Sequence, residues 1–231
     1  MKRNLTRAFK FAFPYTIPIF TGFLFLGFAY GVYMRSLGFS PLYPMIMCFT
    51  IFAGSLEFLA GNILLGAFNP LQAFLVGFAV NARHIFYGLS LLDKYKNAGK
   101  KKLYMIYALC DETFSVNVTL NDIEGVDKED VYFAVTLLNQ SYWVLGTYLG
   151  ALFGGIISIN TQGLDFVMTA LFIVIFLDYF FKNKQSFSSA MGFILSIASL
   201  LIFGKDNFII PAMVSIVVIL LAFRGKYDID P

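Results

Sequence analysis

The sequence predicts an all-α integral membrane protein, a single polytopic transport domain over residues 1–231, on three observations. Of its 231 residues 58% are hydrophobic and 13% charged, with 28 Phe and 13 Tyr, a usage far from that of soluble globular domains. The apolar residues gather into eight stretches, at 16–34, 42–65, 70–92, 103–120, 131–157, 163–181, 187–204 and 207–223. Most approach the roughly 20 residues that a helix needs to cross hydrocarbon. No window alternates polar and apolar residues over the length of a barrel strand, so helices are the spanning element that remains.

The first stretch follows a basic segment, MKRNLTRAFK, as a signal peptide would. No small-x-small cleavage site follows it, so it reads as an uncleaved first span. The second and fifth stretches are long for one span and carry breaker-rich patches, AGSLEFLAGN at 53–62 and GTYLGALFGG at 146–155. Two readings stand for them. Both are broken or re-entrant, or both are straight helices whose small residues, with Gly146, Gly150 and Gly154 at small-xxx-small spacing, let neighbours pack closely. Charge bears on the choice. Lys and Arg cluster at 2–10, 94–102, 182–184 and 224–226, and the positive-inside rule wants all four clusters in the cytoplasm. If every stretch crosses, the lysine-rich loop at 94–102 falls outside. If 42–65 and 131–157 return to the side they came from, every cluster is inside and the acidic loop NDIEGVDKED at 121–130 is outside. Either way both termini are cytoplasmic.

The net charge of +3 follows the membrane ends and makes no nucleic-acid surface. Cys48 and Cys110 lie within apolar stretches, as small buried side chains rather than a disulfide framework or a thiol metal site.

Ionisable residues inside the apolar stretches carry the functional signal: Glu57, Arg83, His84, Asp111 and Glu112, with Asp165 and Asp178 nearer segment ends. Asp165 reads as a helix cap and Asp178 as reaching the headgroups. An arginine at the bilayer centre costs about 2.5–3.5 kcal/mol on insertion scales, so it must face protein, water or a counter-charge. Helical rise puts Arg83 about 14 Å from the nearer end of its stretch. Asp111 and Glu112 are the natural counter-charges; adjacent on a helix, they diverge by about 100° and cannot both face one partner. A buried ion pair that only fixes how two helices dock is the plainer alternative.

His84, the lone histidine, is either a proton relay or an imidazole satisfied by a neighbouring carbonyl. It shares a face with Asn81, as Arg83 does with Tyr87. Glu57 lies between Gly54 and Gly61 with Ser55 and Asn62 beside it. A helix interrupted there would offer a half-helix N-terminus to a substrate carboxylate. Arg83 or that terminus then holds the carboxylate of an amino acid, and Glu57 or Asp111 its ammonium. The alternative for Glu57 is a protonated carboxyl that donates between helices. Asn139 and the sole tryptophan, Trp143, share a face that suits a pocket pairing a polar anchor with a flat wall, or equally an ordinary packing surface.

Five stretches, FAGSLEF at 52–58, NARHIFYGLSLL at 81–92, LCDETFS at 109–115, LNQSYWVLG at 138–146 and GLDFVMTALF at 163–172, together resemble the AzlC family. The resemblance runs from Pro14 to the last stretch. It implies the large subunit of a branched-chain amino-acid exporter in a bacterial cytoplasmic membrane, driven by the proton gradient and working with a small AzlD-type membrane subunit. Many members resembling this chain have glutamine at the position of Glu57.

The site expected on these grounds has Glu57, Asn62, Asn81, Arg83, Asp111, Asn139 and Trp143 around the substrate and His84 and Glu112 moving protons, with no cofactor and no metal. Two other classes compete: an intramembrane enzyme using His84 with a carboxylate, and a non-transporting scaffold. Neither HExxH nor a second histidine is present for a metal hydrolase, and no serine or cysteine sits in a recognisable nucleophile motif.

Overall fold

Helix α1 runs over Leu5–Ser36, about 48 Å by helical rise. The computed structural model describes residues 5–155 apart from 68, 121, 122 and 124, together with 173, 177, 186–204 and 208–223. Asp165, Asp178 and nearly all of the stretch 163–181 lie outside the described residues. Among the described residues α1 is the one helix both long and apolar enough to cross a bilayer by itself.

The strongest packing partner of α1 is the last helix described in its compact unit, which covers residues 1–168. It is the long helix Lys128–Phe153 (α8), begun by Asp127, whose carboxylate accepts from the Asp130 N–H at 3.2 Å. The two helices run in the same direction with their backbones touching. A Cβ on Gly146 would lie 2.7 Å from the Leu24 carbonyl oxygen, on Gly150 2.0 Å from that of Phe28, and on Gly154 2.9 Å from Val32 Cα. The glycines of 146–154 are therefore a packing surface and not a break. Over residues 128–153 the broken reading of stretch 131–157 is corrected, because each missing side chain is replaced by contact with α1.

Stretch 42–65 is broken. It forms α2 (Leu42–Thr50) and α3 (Gly54–Leu65), a hairpin whose tip holds Phe52 at φ 44° and Ala53 in extended conformation. A positive φ at a phenylalanine costs on the order of 1–3 kcal/mol and persists only where its surroundings over-determine it. Both ends of this hairpin lie beside the C-terminal end of α1: only residues 37–41 join α1 to α2, and Gly61 of α3 faces Tyr33, Met34 and Leu37.

The chain then travels back along α4 (Pro70–Asn81) and α5 (Arg83–Ser90), interrupted only at Ala82. It reaches the end of the unit where α1 and α8 begin; Leu91, Tyr95 and Ala98 share a core there with Ala8, Ala12, Met105, Val131 and Val135. We call this the basic end, after its lysines at 94–102.

Stretch 103–120 departs from expectation. It forms α6 (Lys101–Tyr107) and α7 (Asp111–Thr119), a second hairpin with Cys110 extended at its tip. Both of its ends lie at the basic end. Lys101 pairs with Asp130 at 2.5 Å, and Lys94 Nζ donates to the carbonyls of Asn117, Val118 and Leu120 at 2.9, 2.6 and 3.3 Å, closing the C-terminus of α7. Burial and nearby Lys128 lower the Lys94 pKa below the usual lysine value. The two returning segments are thus 42–65 and 101–119 rather than 42–65 and 131–157. By the same contacts the residues of the acidic loop 121–130 nearest α8 sit with the lysines, not at the opposite end. The physical reason is local: with Asp111 and Glu112 in its first turn, α7 favours a start of its own, since carboxylates stabilise a helix N-terminus.

A second compact unit covers residues 169–231. Within it α9 (Ser186–Phe203) ends at Gly204, whose φ of 73° closes an N–H bond back to Leu200, and packs against α10 (Ile209–Phe223).

Candidate binding site where the two hairpins meet

The hairpins come from opposite ends of the α1–α8 pair, and their tips touch. The Tyr107 hydroxyl at the end of α6 donates to the carbonyl of Phe49 near the end of α2, filling one of the acceptors that a helix C-terminus leaves open. On the far side of each tip a half-helix begins, α3 at Gly54 and α7 at Asp111. Both N-termini, with the partial positive charge of their first-turn N–H groups, therefore lie partway along the α1–α8 pair rather than at its ends.

Arg83, the first residue of α5, touches both. Its Nη2 lies 2.7 Å from Asp111 Oδ2 and 3.4 Å from Ser55 Oγ. The two paired side chains each keep 34% of their surface exposed, so the pair borders open space. Asp111 is also held by the Tyr87 hydroxyl, which donates to Oδ1 at 2.6 Å, while the Tyr87 ring stacks on Phe114 at 4.3 Å. Glu112, second in α7, is half-buried beside Asp111.

Glu57 sits differently. It is fully buried, with the Trp143 indole N–H donating to both oxygens at 3.2 and 3.1 Å, the Ala53 N–H to Oε1 at 3.1 Å, and the Cys48 thiol to Oε2 at 3.4 Å. It locks the strained tip to α8 and closes the loop on itself. Trp143 in turn packs edge-on against Phe23 and parallel to Tyr30, and lies 3.1 Å from where a Gly54 Cβ would be. One turn earlier on α8, Asn139, fully buried, donates to Thr113 Oγ1 of α7 at 3.0 Å. The face expected from the Asn139–Trp143 spacing is real, and its two residues grip one hairpin each.

The remaining expected residues divide. His84 Nδ1 lies 3.0 Å from the Asn81 carbonyl, and its ring meets Tyr87 edge-on. A carbonyl only accepts, so Nδ1 carries the hydrogen and donates to it. Asn81 Oδ1 is buried with no hydrogen-bond partner among the described residues. Asn62 lies two turns along α3 from the Arg83 contact, donating to the Tyr33 hydroxyl at 2.8 Å and lining a separate cavity of about 450 Å³ with Leu59, Ile63, Ala73 and Val76. The structure thus brings Arg83 and Asp111 together, holds Glu57, Trp143 and Asn139 as anchors of the tips, and sets Asn62 apart. Sequence reasoning missed Thr113 and named Ser55 only as a neighbour of Glu57; the signal each carried was a hydroxyl in the first turn of a half-helix. It noticed Tyr87 on the Arg83 face without giving it a role.

Comparison with known proteins agrees over nearly the whole chain. The AzlC protein family model matches residues 18–157. The branched-chain amino acid transport protein AzlC of Bacillus subtilis (strain 168) is 59% identical over 98% of this chain and 89% of its own. Uncharacterized membrane proteins of Haemophilus influenzae and Helicobacter pylori (strain J99) are 45% and 37% identical, over 94% and 97% of this chain and 89% and 99% of theirs. No solved structure matches. A family match over more than half the chain, with relatives this similar from end to end, makes this chain a member of the AzlC family.

Proposed function

We propose that this chain is one transport domain over residues 1–231 that exports branched-chain or similar apolar amino acids across a bacterial cytoplasmic membrane. The single observation that carries the reading is the Arg83–Asp111 pair, partly open, where two half-helix N-termini converge on it. A zwitterionic amino acid can enter such a pair at little electrostatic cost. Its carboxylate takes the place of Asp111 on Arg83, aided by the start of α3, and its ammonium takes the place of Arg83 on Asp111, so charge stays balanced throughout. Asn81, Asn139 and Trp143 form the walls, Glu57 fixes the tip beside them, and Asn62 lines the way out. The name of the Bacillus relative supports the substrate class.

In this reading α1, the α4–α5 pair and α8 cross the membrane, while the α2–α3 and α6–α7 hairpins re-enter from opposite faces. With the basic end in the cytoplasm, the N-terminal cations and the lysines at 94–102 are inside together, as the positive-inside rule asks. The same rule asks for the cations at 182–184 and 224–226 to be inside, which makes both termini cytoplasmic. His84 Nε2 and Glu112 are the groups through which a proton gradient drives export, and a small AzlD-type subunit completes the transporter. No cofactor or metal takes part.

Counterflow of labelled leucine into vesicles holding Arg83→Met tests the site. The variant is expected to assemble and to lose flux; undiminished flux would remove Arg83 from the mechanism. An ion pair that only docks helices is the second reading, favoured by the same 2.7 Å contact, and it requires the variant to lose assembly instead. An imposed pH step tests the coupling, and flux indifferent to the step would reject it.

A further inference from the structure

The two hairpins carry the same short sequence. IFAGSLEFLAGN at 51–62 and IYALCDETFSVN at 106–117 align without a gap on Ile51 and Ile106, Phe52 and Tyr107, Ala53 and Ala108, Glu57 and Glu112, Asn62 and Asn117. Each hairpin follows a helix that contains Gly-Phe-Ala, at 27–29 in α1 and 77–79 in α4. The match extends to one tertiary contact that a chance similarity would not reproduce. Asn62 Nδ2 donates to the Tyr33 hydroxyl at 2.8 Å, and Asn117 Nδ2 to the Tyr95 hydroxyl at 2.7 Å. In each case the asparagine is near the end of the returning half-helix, and the tyrosine is near the C-terminal end of the preceding helical run, Tyr33 in the last turn of α1 and Tyr95 in the turns that follow α5. α1 and α4–α5 run in opposite directions, so the two Asn–Tyr bonds stand at opposite ends of the unit.

We infer that residues 27–62 and 77–117 are two copies of one unit inserted with opposite orientation, and that Asn62–Tyr33 and Asn117–Tyr95 are paired latches, each positioning its own half-helix and each controlling access to the central site from its own face. Sequence supplies the repeat, contacts supply the latch, and chain direction supplies the inversion. Internal repeats of opposite orientation with broken helices at the midplane are how many transporters expose one site alternately to two sides. The assignment of the two ends to opposite faces of a membrane rests on the reading given above; the equivalence of the two units does not.

The native thiols report on it, because Cys48 lies in the first hairpin, where it donates a hydrogen bond to Glu57, and Cys110 stands immediately before α7 at the tip of the second, and both are buried. Intact cells and inside-out vesicles carrying the full chain are treated with a membrane-impermeant maleimide, and the labelled cysteine is identified by mass spectrometry. Asn62→Ala is expected to raise labelling of Cys48 from the outer face, and Asn117→Ala to raise labelling of Cys110 from the cytoplasmic face. Each rise is about two- to tenfold, the population shift that one lost hydrogen bond produces. Tyr33→Phe and Tyr95→Phe keep the ring packing, remove the hydroxyl alone, and should reproduce their partners' effects if the alanine variants fail to accumulate. Labelling that rises from the same face for both pairs, at the other hairpin's cysteine, or for neither pair overturns the proposal. Labelling needs no flux. A chain that carries no amino acid but shows opposite-sided labelling would sink the transport reading and keep the repeat; flux that depends on Arg83 without sidedness would do the reverse.

Discussion

At the tip of the first hairpin Glu57 is wholly buried, with both oxygens taken by Trp143, Ala53 and Cys48. At the tip of the second, Asp111 keeps a third of its side-chain surface open and shares its charge with Arg83. Two carboxylates, one in the first turn of each returning half-helix, thus meet two environments. Three protein donors already engage both oxygens of that one buried carboxyl group, whose visible work is to hold the tip in place. An ion pair beside open space can be parted by a molecule that brings both charges, so Asp111 and Arg83 are where binding would be felt.

The largest expected effect breaks the open tip. Asp111→Asn leaves the Arg83 guanidinium without its counter-charge and should cut flux by tenfold or more, about 1.4 kcal/mol or beyond in binding terms, measured by vesicle counterflow. Next comes the closed tip: Trp143→Phe keeps an aromatic ring but removes the N–H that both Glu57 oxygens accept. It should destabilise the chain by about 1–3 kcal/mol, the cost of leaving a buried polar group unsatisfied, read as an earlier thermal unfolding transition in detergent. Thr113→Val removes the acceptor for Asn139 and should cost about 1 kcal/mol, with the same readout. The smallest effect is Glu57→Gln. An amide oxygen can still accept from Trp143 while the amide N–H donates to the Cys48 sulfur, so flux should stay within about twofold of the parent. Equal losses for Asp111→Asn and Glu57→Gln would erase the contrast between the tips.

Much of this was legible beforehand. Composition announced the helices, the Gly-rich patch at 53–62 offered a break beside a straight helix, and the cost of an isolated arginine called for Asp111 or Glu112 as its partner without choosing between them. The second break was written in CDET, where two acidic residues and a threonine open a helix, but an apolar run on either side hid it. The glycines at 146–154 misled in the opposite way. A glycine that lets two backbones touch and a glycine that ends a helix look alike until the neighbour is known.

By itself the chain determined its solvent, its helical class, and which polar residues had to find partners, because these follow from transfer free energies that each residue carries wherever it goes. Only the tertiary structure decided which stretches turn back, that Trp143 seals Glu57, and that Arg83 reaches both half-helices. Those outcomes depend on which surfaces meet across 28 residues of chain, as between Arg83 and Ser55, or across 86, as between Glu57 and Trp143, and no local pattern encodes the identity of so distant a neighbour.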